Sequence, residues 1–200
     1  TQGVSSAASD VYKRQPAASA LDGTELFAAV QSGITKKATL SGLRAFNADY
    51  GAFSSLETQS GSADTAYAVK HGTTDLSNGI TTNGTFKTQI TVSKTGIYTV
   101  ISSIQFDHNT GGGGAPTMTS WVNINGSPLA NSATDLELPS SVGSKSLYTI
   151  NYFLSLNAGQ YFEIMWSANQ ADVRLVYTGT RITPTRPAVP SVITTVQQIA

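Results

Sequence analysis

The sequence predicts a mainly β fold: an antiparallel jelly-roll β-sandwich preceded by a small N-terminal hairpin-plus-helix unit. Three observations carry that prediction. Short apolar runs with period-2 alternation recur from residue 63 to the end, separated by turn residues. Twenty-six Thr and 24 Ser supply the polarity that charge does not, because Asp, Glu, Lys and Arg make up only 12% of 200 residues. Eighteen glycines add turn formers, and this mixture suits strands and turns better than helices.

The same arithmetic excludes several functions. Twelve basic residues balance 12 acidic ones, so the clustered positive charge that binds phosphate backbones is missing and no nucleic-acid partner is expected. No apolar run approaches the roughly 20 residues of a membrane-spanning helix, so no membrane insertion is expected. Zero cysteines rule out disulfides, thiolate metal sites and a cysteine nucleophile. An apolar share of 40% is enough for a packed core.

In chain order, residues 1–15 show neither periodicity nor the apolar centre of a secretory signal. The stretch VSSAASDVYKRQ resembles translated adaptor read-through, so these residues are expected to be artefactual or disordered. Residues 16–50 form a small unit: the run Leu26–Val30, a turn at Gln31-Ser32-Gly33, and a polar strand from Ile34 to Leu40 edged by Lys36 and Lys37. Thr39 or Ser41 can cap a short helix through Leu43, Ala45 and Phe46. Some 30 residues of this kind bury little by themselves, so the unit is expected to dock on something. Residues 48–62 are small and polar with a thin apolar thread of Tyr50, Phe53 and Leu56, and 51–62 read as a linker.

The domain over 63–200 is predicted strand by strand. A Lys94-Thr95-Gly96 turn opens a long strand holding Ile97, Tyr98, Val100, Ile101, Ile104 and Phe106. Trp121, Val122 and Ile124 flank Asn123 before Asn125-Gly126, a strong hairpin signal. Tyr148, Ile150, Tyr152, Leu154 and Leu156 alternate with polar residues as far as Asn157-Ala158-Gly159. Phe162, Ile164 and Trp166 follow, then Val173, Leu175 and Tyr177. After Pro184, Pro187 and Pro190 comes a last strand with Val192, Ile193, Val196 and Ile199. Closely spaced antiparallel strands of this number fit a jelly roll.

Several of these motifs, in order, carry a resemblance. Thr65–Val69 and Thr74–Ile80, the entry Val92–Tyr98, Ile104–Asp107 before a glycine-rich loop, Trp121–Gly126, Leu156–Ser167 and the closing Arg186–Ile193 look like a jelly-roll domain common in virion proteins of tailed phages. That domain is similar in turn to the tumour-necrosis-factor and complement globular-head jelly roll. The N-terminal stretches Ser19–Leu26 and Val30–Lys36 resemble a docking hairpin at the start of phage fibre and decoration proteins.

The resemblance implies a homotrimeric, non-enzymatic capsid decoration, head-fibre or short fibre protein on the virion surface. It implies particle attachment to a capsid or tail protein through Leu26, Phe27, Val30, Ile34 and Leu40. It also implies core or trimer packing by Tyr98, Phe106, Trp121, Tyr152, Phe162, Trp166 and Val192. The alternatives are a tail-fibre tip that binds a host surface glycan, and a secreted adhesin or lectin-like domain.

Chemistry-bearing residues are few. His71 and His108 lack metal-ligand spacing and read as solvated loop histidines, so no metal or cofactor is expected. Asp107-His108 has no nucleophile elbow beside it. Gly111 to Gly114 lacks the following Lys and helix of a phosphate loop, and reads as a mobile connection. Asp107, His108, Gly111 and Gly114 together are expected to form a ligand-facing loop. Asp135 and Glu137 fall on one strand face, where solvation explains them better than paired-carboxylate catalysis. Trp121 and Trp166 sit among apolar alternators and are assigned to the core.

Overall fold

The computed structural model describes residues 26–39, 48–84, 87–110 and 114–200. The helix expected through Leu43, Ala45 and Phe46 lies outside the described residues, as do residues 1–15, Leu40 and Gly111. In chain order the strands are β1 (Leu26–Gln31), β2 (Ile34–Thr39), β3 (Tyr50–Ser55), β4 (Gln59–Ser60), β5 (Tyr67–Ala68) and β6 (Thr73–Asn78). There follow β7 (Ile80–Asn83), β8 (Gln89–Val92), β9 (Gly96–His108), β10 (Thr117–Ile124), β11 (Ser127–Pro128) and β12 (Thr134–Glu137). The last are β13 (Ser146–Leu156), β14 (Tyr161–Ala168), β15 (Val173–Leu175), β16 (Arg181–Ile182), β17 (Thr185–Arg186) and β18 (Val192–Gln198).

The chain divides between residues 47 and 48. In the first unit β1 and β2 make an antiparallel hairpin whose register runs from Leu26 opposite Thr39 to Gln31 opposite Ile34. Ser32 and Gly33 close it with φ of 53° and 75°, the paired left-handed turn that matches strand twist. Leu26 and Ile34 are exposed, and the register puts them on opposite faces of the hairpin.

The second unit holds two main antiparallel sheets and a separate two-stranded pair, β16 with β17. One runs β4-β15-β9-β18-β3-β6, with β13 on the other edge of β9. The other runs β11-β10-β14-β8-β7, with β12 beside β10 and β5 beside β14. Their inner faces share one core. Tyr98, Val100, Ile104, Phe106, Val192 and Val196 come from the first sheet, and Met118, Val122, Phe162, Ile164 and Trp166 from the second. Alternation in β9 sends Tyr98, Val100 and Ile104 inward and Ile97 and Ile101 outward, as the pleat requires.

Two expectations need correction. Residues 51–62 are not a linker, because β3 lies between β18 and β6, with Phe53 fully buried. The jelly roll therefore begins by residue 48 rather than 63. The reason is bulk: Gly51, Ala52, Ser54 and Ser55 leave Phe53 as the only large inward side chain, so alternation is barely audible in the sequence. Trp121 is not a core residue either. Met118, Ser120 and Val122 face inward along β10, so Trp121 points outward and is only half-buried. Of two adjacent apolar residues, a strand can bury one on a given face.

Asp49 fixes the start of this unit. Its carboxylate accepts from the Ser93 hydroxyl at 2.6 Å and from Lys94 Nζ at 2.7 Å, and its carbonyl accepts from the Gln198 N–H at 2.7 Å. Gly79 has φ +71°, and a Cβ there would lie 2.3 Å from the Asp49 carboxylate. Gly79→Ala is therefore expected to destabilise the unit by more than about 1 kcal/mol, through left-handed strain and displacement of Asp49. A fall in the urea midpoint at unchanged m-value is the check; an unchanged midpoint contradicts the packing.

Candidate functional site

Two places stand out. The first is the outer face of the β3/β9/β18/β13 sheet. The outward positions of β9 are Ile97, Thr99, Ile101, Ser103 and Gln105, and those of β18 are Ile193, Thr195 and Gln197. Alongside them β13 presents Leu147, Thr149, Asn151, Phe153 and Ser155, and β3 presents Tyr50 and Ala52. None of these side chains is charged. Register lines them up in rows across the sheet: Asn151, Ile101, Thr195, Ala52 and Leu76 form one, and Phe153, Thr99, Gln197 and Tyr50 the next. Phe153 is 71% and Leu147 69% exposed, with Ile97, Ile101, Ile193, Leu76 and Tyr50 also exposed. A shallow, mainly apolar groove runs between Tyr50, Leu76, Ile101 and Thr195. Exposed apolar side chains thus stand among uncharged polar ones across this face.

The second place is the end of β9. Asp107 and His108 are not solvent-facing loop residues, because β9 runs two residues past Phe106 and buries both. Asp107 accepts from Arg174 Nε at 2.7 Å and Nη2 at 3.2 Å, a bidentate pair across the β9–β15 register. His108 is 1% exposed. Its Nε2 lies 2.8 Å from the Pro139 carbonyl oxygen and its Nδ1 3.1 Å from that of Thr110. Burial pushes its pKa down, but the Thr110 and Pro139 carbonyls and the Asp172 carboxylate outweigh burial and hold it above the ordinary 6.5. Gly114, with φ +83°, is the one exposed residue of the four assigned to that loop among the described residues.

His71 is also buried, at 0% exposure. Its Nε2 bonds Thr194 Oγ1 at 2.8 Å, and that hydroxyl bonds Ser102 Oγ at 2.8 Å. Burial drives its pKa down to about 4, and its Nδ1 has no hydrogen-bond partner. The reading of both histidines as solvated is thus overturned. A usable signal was present: Ser102 sits between Val100 and Ile104, and Thr194 between Val192 and Val196. Polar residues at inward positions require partners.

The remaining assigned residues divide clearly. Tyr98, Phe106, Phe162, Trp166 and Val192 lie in the core, and Tyr152 packs half-buried against it with its hydroxyl donating to the Ser132 carbonyl. The Trp121 indole N–H donates to Asn123 Oδ1 at 3.0 Å on the outward face. Of the attachment residues, Leu26 and Ile34 are the exposed strand positions named above, and Phe27 and Val30 lie in β1. Asp135 and Glu137 are exposed on β12. Among the described residues no three His, Asp or Glu side chains are grouped to hold a metal ion.

No protein-family model and no curated protein matches the sequence. Among solved structures, the chain is similar to murine APRIL in its crystal structure at pH 8.5. The identity is 14% and the TM-score 0.50, covering 76% of this chain and 100% of that one. The globular domain of zebrafish complement 1qA aligns with 10% identity and a TM-score of 0.49, over 76% of this chain and 98% of that one. The fold is a jelly roll of this type. At such identity the likeness speaks to fold alone.

Proposed function

We propose that the chain is a structural protein of a phage virion, a capsid decoration, head-fibre or short fibre protein. In this reading a homotrimeric jelly-roll head is presented by an N-terminal attachment hairpin. The observation that carries the trimer is the charge-free outer sheet face with Phe153, Leu147, Ile97, Ile101 and Ile193 exposed. A second copy of the chain suits it, since apolar and threonine-rich rows offer burial with no charge to desolvate. The motif series from Thr65 to Ile193 supports the virion setting. The hairpin would extend a sheet of a capsid or tail protein by adding an edge, with Leu26 and Ile34 as apolar contacts. The role is mechanical and adhesive, with neither cofactor nor catalysis.

The mass in solution tests this reading. Light scattering of the full chain at micromolar concentration is expected to give three times 20.9 kDa. Phe153→Asp with Ile101→Asp is expected to give the monomer with an unchanged far-ultraviolet spectrum, since unpaired carboxylates in an apolar interface are costly. A monomeric wild-type chain overturns the proposal.

A second reading, a receptor-binding tip, draws on Trp121. Its indole stands outward beside Asn123, which pairs across the sheet with Glu163, an arrangement suited to stacking and hydrogen-bonding a host surface glycan. Copy number on the particle separates the readings, because decoration requires many copies and a tip few.

A further inference from the structure

The His108 ring sits between two oxygens that can only accept. A carbonyl carries no proton, so both ring nitrogens must donate to satisfy the Pro139 contact at 2.8 Å and the Thr110 contact at 3.1 Å. A neutral imidazole has one N–H and would set a lone pair against the other carbonyl. The imidazolium meets both acceptors. Its charge has a counter-ion, since Asp172 Oδ2 lies 3.5 Å from Nδ1. Asp172 also accepts from the Thr110 N–H at 3.3 Å and the Thr110 hydroxyl at 2.9 Å.

Charged residues close in the chain to His108 and to Gly143 are engaged elsewhere. Asp107, the chain neighbour of His108, is paired with Arg174 of β15, and Lys145 donates to the Thr178 hydroxyl at 2.5 Å. Three segments therefore meet on one side chain: Thr110 just after β9, Pro139 after β12, and Asp172 after β14. Backbone bonds run through the same point. The Gly143 N–H donates to the His108 carbonyl at 2.9 Å, and the Asn109 N–H to the Asp172 carbonyl at 3.2 Å.

We propose that His108, as an imidazolium, is a latch that ties the Thr110 segment to the Pro139 segment, and that losing its proton releases the two. The folded pKa lies above the unfolded 6.5. The stabilisation is thus fully present below pH 6.5 and is lost as pH rises through the folded value. Any partner that grips Thr110 and Pro139 meets a tied surface in mild acid and a loosened one in alkali.

Nitrogen-edited NMR on the full chain tests the latch. Both His108 ring nitrogens are expected to carry protons at pH 6, with a titration midpoint above 6.5. Exchange of the Gly143 amide, corrected for its intrinsic rate, is expected to rise across that midpoint. His108→Gln is expected to remove this pH dependence. Asp172→Asn, which keeps both carbonyl acceptors, is expected to lower the midpoint and serves if His108→Gln does not fold. A ring with a single proton at pH 6 overturns the proposal. So does Gly143 exchange that stays flat while His108 titrates, or an unmoved midpoint in Asp172→Asn.

Discussion

Trp166→Ala is expected to destabilise the jelly roll by roughly 3–5 kcal/mol, whereas Trp121→Ala is expected to cost about 1 kcal/mol. Trp166 is among the largest fully enclosed side chains, with its ring 5.7 Å from Tyr67 and 6.0 Å from Phe106. It closes the core where β5, β9 and β14 converge, and a methyl group there leaves a cavity that strands bonded on both edges cannot collapse into. Trp121, across the β10–β14 register from Met165, loses contact on one side only. Urea unfolding of both variants reads the difference as midpoints at a common m-value. Equal losses would mean that the β10 register is wrong and that Trp121 faces the core.

Acidification is expected to have the next largest effect. Between pH 7 and pH 4 the unit is expected to lose about 3 kcal/mol through His71 alone, at 1.36 kcal/mol per pKa unit. The folded pKa of about 4 lies below the unfolded 6.5, so the unfolded chain takes up the proton first. Stability from this group is therefore complete above 6.5 and lost as pH falls towards 4. His71→Gln can still bond Thr194 and is expected to flatten the stability profile over that window. A slope identical to wild type would show that His71 is not buried neutral. His108 acts in the opposite sense, so the two histidines favour opposite sides of neutrality.

Strand order was legible because alternation is a physical requirement of a half-buried sheet. The segments around Tyr98, Tyr152 and Phe162 announce it with large apolar residues at every second position. β3 was illegible because a strand flanked on both edges can be built from Gly51, Ala52 and Ser54, which carry almost no hydrophobic signal. The outer face was visible in Ile97 and Ile101, but a run filling both parities does not say which residues face a partner. The histidines failed for another reason. Local pattern reports periodicity, whereas the surroundings of His71 and His108 are assembled from Thr194, Pro139 and Asp172, far away in sequence.

The Asp49 clasp has a mechanical consequence. It ties the first residues of β3 to Gln198 at the end of β18, so tension entering near residue 48 is handed straight to two flanking ladders. Force directed along β3 then loads its bonds to β18 and to β6 in shear. Bonds sheared in parallel must rupture together, while bonds peeled from a free edge give way one at a time. A domain pulled through such a central strand would hold against a force that would unzip one pulled from an edge.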